Sequence, residues 1–95
     1  MLKLDEEKKR FIRAIGNPSR LKILLVLWKA DKELTVYEIF QRTGLGRSSV
    51  TCHLRNLISI GLVSRTIFGE IPVYDINKDD FRMKAITEFF AKTKL

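Results

Sequence analysis

Apolar side chains recur at helical spacing in the first part of the chain. The clearest stripe, which follows the i, i+3, i+4, i+7 pattern of an amphipathic helix, comprises Leu21, Leu24, Leu25 and Trp28. Asn17 and Pro18 mark the start of this helix, because Asn is a good N-cap and Pro suits the first helical position. Ile23 and Leu27 widen the stripe, so we expect this helix to be the most buried one.

A shorter amphipathic helix precedes it, over about residues 5–15. Phe11, Ile12 and Ile15 share one face of this helix, and Gly16 ends it. Acidic residues open the helix and basic residues follow them, an order that suits the helix dipole.

The middle of the chain predicts two further helices joined by a tight turn. Thr35 and Glu38 form a capping box that opens a helix ending at about Thr43. A three-residue turn, Gly44-Leu45-Gly46, leads into a fourth helix over about residues 47–60, which Gly61 ends. Two helices joined by a short glycine-containing turn favour a helix-turn-helix.

Beyond Gly61 the pattern becomes that of a hairpin followed by a last helix. Residues 62–68 and 71–76 predict two strands around a tip at Gly69-Glu70, and Pro72 places the second strand at a sheet edge. Asn77 is the expected cap of a helix over about residues 78–93, with Asp79 and Asp80 in its first turn. We therefore predict a fold that is mainly α with a small β-hairpin: a winged helix-turn-helix, α-α-α-α-β-β-α, with residues 1–95 as one domain.

Composition narrows the class of protein. A hydrophobic share of 45% in 95 residues is typical of one small folded domain and excludes a disordered tail. One cysteine and one histidine exclude a disulfide framework and the usual zinc site within one chain. The charged N-terminus and an apolar run of only six residues, 23–28, predict a cytoplasmic protein without a membrane segment.

Charge points to the partner. The chain holds 18 basic and 11 acidic residues, a net charge of +7. Residues 39–69 carry four arginines and no carboxylate at all. A positive surface without acids is typical of phosphate contact, so we predict double-stranded DNA as the partner.

Several segments resemble, in order, those of ArsR/SmtB-type repressors. The segment IGNPSRLKIL, residues 15–24, is similar to that family's LG-x-P-x-R-x-x-I-L opening, and ELTVYEI, residues 33–39, to its ELTV-x-EL segment. LGRSSVTCHLRNL, residues 45–57, resembles the recognition element LGLSQSTVSRHLRLL, and IGLV, residues 60–63, the AGLV that leads into the wing. The resemblance covers roughly residues 11–77 and implies a DNA-binding winged helix.

The metal ligands of that family are not matched. Many metal-sensing members carry two cysteines in an ELCVCDL pattern, where this chain has Thr35 and Tyr37. Other members bind metal through the last helix, which holds no histidine here. We therefore expect no metal and no cofactor. A regulator with a different ligand and a regulator with none both stay open.

The fourth helix supplies the predicted DNA contacts. With Val50 at the centre of the buried face, the polar side chains on the opposite side lie near the helix start, the end that helix-turn-helix proteins insert into the major groove. Arginine can bind guanine there, threonine a thymine methyl group, and serine a phosphate oxygen. The predicted DNA-binding residues are Arg47, Ser48, Ser49, Thr51, Cys52, Arg55 and Arg65.

Three residues near this surface allow alternatives. His53 either contacts phosphate or packs on the flank of the helix, and we favour packing. Cys52 is either a small side chain against a base or an oxidation sensor, the less favoured hypothesis. Glu70 at the wing tip opposes phosphate, so either the wing stays clear of the backbone or this acid turns away, with Arg65 still able to reach phosphate.

The terminal helices predict a homodimer. They carry more apolar surface than one small core needs, and the resemblance implies pairing through the first and last helices. The expected interface residues are Phe11, Ile12, Ile15, Phe81, Ile86, Phe89 and Phe90. Two recognition helices roughly 34 Å apart would then bind a near-palindromic site.

From these features we predict that the protein is a sequence-specific regulator of transcription, and we favour a repressor. No nucleotide-binding glycine motif or nucleophile pattern is present, and the one histidine has no obvious carboxylate partner, so we predict no enzyme. The alternative is a winged helix used for protein contact in a transcription or repair complex. That class would expose apolar side chains on the fourth helix, where this chain carries serine, threonine and arginine.

Overall fold

Five helices and one hairpin make up residues 2–95, the part of the chain that the computed structural model describes. In chain order they are α1 (Glu6–Ile15), α2 (Pro18–Ala30), α3 (Val36–Thr43), α4 (Arg47–Ser59), β1 (Val63–Phe68), β2 (Ile71–Ile76) and α5 (Phe81–Thr93). This order confirms the predicted winged helix-turn-helix. Within the described residues, no helix combines the length and the apolar character that crossing a membrane requires.

Short-range side-chain bonds fix the starts of α2 and α3, as the sequence predicts. The Asn17 side chain accepts a hydrogen bond from the backbone N–H of Arg20 at 3.1 Å, which caps α2. At α3 the Thr35 hydroxyl accepts from the Glu38 N–H at 3.1 Å, and the Glu38 carboxylate accepts from the Thr35 N–H at 3.0 Å. The predicted N-cap and capping box are therefore confirmed.

The start of α5 differs from the prediction. Its N-cap is Asp80, whose carboxylate accepts from the N–H groups of Arg82 and Met83 at 2.8 and 3.1 Å. Asn77 was the wrong choice because it opens a turn before the helix, in which the Asp80 N–H donates to its carbonyl at 3.1 Å. The Asn77 side chain instead donates to the Gly61 carbonyl at 3.0 Å.

The core is built around α2, as expected. Its side chains Ile23, Leu24 and Leu27 are completely buried, and each such burial contributes roughly 1.5–3 kcal/mol to the folded state. The centre of the buried stripe lies between the predicted positions, because Leu21 and Trp28 are only half-buried. The other elements pack around this helix with the buried residues Leu34, Ile39, Val50, Leu54, Leu57, Leu62, Met83 and Phe90.

The hairpin is anchored at its base and free at its tip. The register runs from Val63 opposite Ile76 to Phe68 opposite Ile71. On the outer edge of β2, Tyr74 exchanges two backbone hydrogen bonds with Leu34, of 2.9 and 2.8 Å. Pro72 lies two residues before Tyr74 on the same edge, where its missing N–H costs no bond to β1.

Arg82 connects three helices. Its Nη2 donates to the Ile60 carbonyl at the end of α4, at 2.6 Å, and to Asp80 Oδ2 at 3.0 Å. Its guanidinium carbon also lies 5.3 Å from the ring centre of Phe11 on α1. Because the Arg82 and Asp80 side chains are only 19% and 15% exposed, this ion pair is shielded from solvent.

Asp80 makes the stability of the fold depend on pH. The Arg82 side-chain hydrogen bond is the largest cause that lowers the pKa of Asp80, against an opposing effect of burial. The carboxylate therefore stabilises the fold above the unfolded-state pKa of about 3.9. This contribution is lost as pH falls through the lower pKa of the folded state.

We expect Asp80→Asn to lower the free energy of unfolding by about 1–3 kcal/mol at neutral pH, because the charged partner of Arg82 is lost. The variant should also lose less stability on acidification than the wild type. Urea unfolding followed by circular dichroism at several pH values measures both effects. Asp79→Asn, at an exposed site one residue earlier, is the matched control; equal behaviour of the two variants would contradict the assignment.

Candidate nucleic-acid interface

Helix α4 has one buried side and one bare side. Val50, Leu54 and Leu57 are buried in the core. The remaining surface of α4 carries mostly small polar side chains and two arginines. All six α4 residues of the predicted DNA-binding set lie exposed on it. These exposed residues are Arg47, Ser48, Ser49, Thr51, Cys52 and Arg55.

The N-terminus of α4 leaves backbone donors free. Gly46 is the N-cap and provides no side-chain bond. The first backbone bond of the helix is from the Val50 N–H to the Gly46 carbonyl, at 2.9 Å. The preceding amides, including those of Ser48 and Ser49, add the partial positive charge of a helix start to this end of α4.

Arg47 is held against α3. Its guanidinium carbon lies 5.4 Å from the ring centre of Tyr37 and 5.8 Å from that of Phe40. The Tyr37 hydroxyl in turn accepts a hydrogen bond from Gln41 Nε2 at 2.7 Å. Sequence reasoning missed Tyr37 and Gln41; their i, i+4 spacing on the polar side of α3 was the available signal.

The four arginines of residues 39–69 all face solvent. Arg42 lies on α3, Arg47 and Arg55 on α4, and Arg65 on β1, and each is exposed. The same 31 residues contain no carboxylate. Helix α4 and its neighbours therefore present positive charge that no acid from this stretch neutralises.

The wing tip is apolar, a feature that the sequence analysis did not anticipate. Ile67, Phe68 and Ile71 are 49%, 73% and 57% exposed, and Glu70 lies between them in the turn. The exposure of these side chains follows from the strand register, since the tip of the hairpin extends well beyond the buried Val63–Ile76 pair. Arg65 is closer to the base of the hairpin, so cationic contact from this strand is confined to that region.

His53 lies half-buried on the flank of α4, where the favoured packing hypothesis puts it. Its Nδ1 accepts a hydrogen bond from Nε of Arg20 on α2, at 3.2 Å. The pKa of His53 is lowered, mainly by burial and to a smaller extent by the Arg20 charge.

The neighbouring Cys52 is a free, exposed thiol. Among residues 2–95, no three His, Cys, Asp or Glu side chains are grouped so as to hold a metal ion.

The expected dimer residues divide into two groups. Phe90 is completely buried and its ring centre lies 5.6 Å from that of Trp28, so it belongs to the core of its own chain and its assignment to an interface was wrong. Ile86 is also largely buried, at 8% exposure, although it lines an apolar groove between α1, α2 and α5. The sequence pattern could not separate them from Phe89 because all three share one broad apolar side of α5.

The other group surrounds an open apolar groove. Phe81 and Phe89 on α5 line it and are 78% and 51% exposed, whereas Ile12 on α1 is 49% exposed but does not line the groove. Phe11 and Ile15 are half-buried and line the groove between α1, α2 and α5. The groove has a volume of about 530 Å³ and its wall is almost entirely apolar.

Comparisons with known proteins agree with this geometry. A family model described as "Bacterial regulatory protein, arsR family" matches residues 17–65. HlyU from Vibrio cholerae N16961 is 29% identical, covering 98% of this chain and 97% of that chain, with a TM-score of 0.78. The transcriptional repressor PagR of Bacillus anthracis is 28% identical over 90% of this chain and 93% of that chain, with a TM-score of 0.75. No curated protein sequence matches the chain significantly.

We expect a double-mutant cycle of Arg47→Ala and Tyr37→Ala to give a coupling energy of about 0.5–1 kcal/mol, the usual strength of an exposed cation–π contact. Urea unfolding of the wild type, both single variants and the double variant measures this coupling. Arg42→Ala combined with Tyr37→Ala is the control cycle. Additive effects in the first cycle would show that the ring does not hold Arg47.

Proposed function

The chain belongs to the arsR family of bacterial regulatory proteins, and from this premise we propose that it represses transcription as a homodimer bound to specific double-stranded DNA sites. Its family and winged helix-turn-helix fold make it a DNA-binding transcription regulator and not an enzyme. The sequence specificity, the dimer, the repression and a place in the cytoplasm are the parts that we propose.

The exposed side of α4 is the observation that carries the proposal. It combines small polar side chains with the arginines Arg47 and Arg55, and no carboxylate lies within residues 39–69. Such a surface suits a phosphate-lined groove, whereas a protein-contact helix would present apolar side chains. The DNA interpretation is therefore favoured over the protein-contact module.

We assign roles to the α4 residues from their positions around the helix. At about 100° per residue, Ser48, Cys52 and Arg55 point within about 40° of the direction opposite Val50 and would face the base edges. Arg55 offers two donors to guanine O6 and N7. The free amides at the helix start, with the Ser49 hydroxyl, would bind phosphate.

A second copy of the chain is the occupant that we propose for the apolar groove. One recognition helix contacts only a few base pairs, too few to define a unique site. Pairing through α1 and α5 would cover the exposed Phe81 and Phe89. It would also set two α4 helices roughly 34 Å apart, one turn of DNA. Repression would then follow when the dimer occupies its DNA site, because a dimer bound at a promoter blocks the DNA that transcription initiation requires.

Selection of binding sites from a random duplex pool tests the proposal directly. We expect enrichment of a two-fold-symmetric site, with Arg55→Ala costing about 1–3 kcal/mol on that site and relaxing one base position. Arg42→Ala is the matched control, because it removes the same charge from an exposed position on α3. Failure to enrich any motif, with binding that only fades with salt, would overturn specific recognition.

The dimer is tested by placing charge in the groove. We expect the double variant Phe81→Lys/Phe89→Lys to sediment as a monomer and to bind the selected site much more weakly, because both side chains are exposed in the single chain and would meet the partner. Phe68→Lys is the control, since Phe68 is 73% exposed, close to the 78% of Phe81, but lies at the wing tip. An unchanged sedimentation coefficient of the double variant would remove this interface.

A further inference from the structure

Arg20 joins three helices at one point. It lies on α2, and its own N–H is fixed by the Asn17 cap at 3.1 Å. Its Nε donates to Nδ1 of His53 on α4 at 3.2 Å, and its Nη1 donates to the Arg13 carbonyl near the end of α1 at 3.2 Å. The guanidinium is therefore engaged on two sides and cannot turn freely toward solvent.

The bond to Arg20 decides which nitrogen of His53 carries the proton. An arginine guanidinium only donates, so Nδ1 must keep its lone pair. Burial, and to a smaller extent the Arg20 charge, lower the pKa of His53 and keep the ring neutral near neutral pH. A neutral imidazole that accepts at Nδ1 carries its proton at Nε2.

The Nε2–H of His53 reaches solvent. Among residues 2–95, the one buried side-chain nitrogen or oxygen without a hydrogen-bond partner is Asn56 Oδ1. His53 Nε2 makes no hydrogen bond to the described residues and is not one of these buried unpaired atoms, so it is accessible. Arg20 thus leaves His53 with one oriented and unused donor.

This donor lies on a flank of α4 and not on the side that faces the bases. At about 100° per residue, His53 and Ser49 lie within about 40° of each other, on the edge between the buried side and the base-facing side. A helix in the major groove has its base-facing side toward the base pairs and its edges toward the two phosphate backbones. A hydrogen-bond donor at this edge therefore meets phosphate oxygen.

We propose that His53 donates its Nε2–H to a phosphate oxygen of the bound DNA, and that Arg20 is the positioning residue that orients the ring for this contact. The inference rests on the proposed DNA-binding function and adds a contact to it. His53 contributes a neutral donor, whereas the arginines of α4 contribute charge. In this proposal Arg20 acts through His53, to which its Nε is bonded, while its Nη1 is held by the Arg13 carbonyl.

Two variants of His53 separate its two nitrogens. In His53→Asn the Oδ1 atom takes the place of Nδ1 and can still accept from Arg20, but the outer donor is gone. In His53→Gln an amide group reaches the Nε2 position, while the acceptor for Arg20 is lost. Binding of each to the selected site, and to a duplex of random sequence, is measured by fluorescence anisotropy at several salt concentrations.

We expect His53→Asn to weaken binding to both duplexes by roughly 10- to 100-fold, the usual effect of losing one hydrogen bond to a charged group. The slope of affinity against salt should not change, because a neutral donor releases no counterion. His53→Gln should keep part of the affinity. Unfolding measured alongside should show that His53→Asn stays folded with its bond to Arg20.

Arg20→Gln tests the positioning role. It should weaken binding with an unchanged salt slope, and its effect should largely disappear in the His53→Asn background, because both changes remove the same contact. The ring nitrogen signals in ¹⁵N NMR should show the Nε2–H form of His53 in the wild type and a mixture of both neutral forms in Arg20→Gln.

The outcomes separate this inference from the proposed function. Suppose that the wild type selects a site, that Arg55→Ala weakens binding to this site, and that His53→Asn binds it normally. The proposed phosphate contact of His53 is then wrong, while the proposed DNA-binding function is retained. A shallower salt slope for Arg20→Gln would mean that Arg20 itself contacts phosphate, which would overturn the positioning role. If the wild type binds no duplex at all, the proposed function itself fails.

Discussion

Burial of Val50, Leu54 and Leu57 against the rest of the core is the constraint on which the whole surface of this protein depends. A helix of 13 residues that buries one side in the core exposes its opposite side to solvent. Packing alone therefore decides which side chains of α4 are exposed. Apolar contacts are non-directional, however, and tolerate small rotations of a helix about its axis. Directional bonds fix those rotations, and two arginines supply them. Arg20 holds the middle of α4 through His53, and Arg82 holds its end through the Ile60 carbonyl.

The elements of this fold could be predicted because their signals are local. Asn17-Pro18, the Thr35–Glu38 box and Gly61 each act within a few residues, and the structure uses each where the sequence predicts it. The polar side of α4 was equally predictable, because its apolar positions define the opposite side by geometry alone. The helix-turn-helix and its exposed arginines therefore follow from short-range chemistry.

The remaining features depend on contacts between distant parts of the chain. Asp80 caps α5 in place of Asn77, and its carboxylate also pairs with Arg82, which donates to the Ile60 carbonyl 22 residues away. Phe90 is core and Phe89 is surface because Trp28 of α2 covers only one of two adjacent rings. The Arg20–His53 bond joins residues 33 positions apart, and the apolar periodicity of either helix does not predict it. The apolar wing tip was likewise hidden, because strand alternation does not show where the core ends.

Arg82 shows why the two proposed surfaces of this molecule are physically related. The same side chain lines the apolar groove beside Phe11 and Phe81 and donates to the last turn of α4. A charge at the edge of an apolar groove is costly unless it is paired, and Asp80 and the Ile60 carbonyl provide that pairing. The groove can therefore stay apolar while its one charged residue is directed inward, to the helix that carries the basic surface. The contacts that shape the proposed dimer surface of α1 and α5 are in this way the contacts that hold α4 in place.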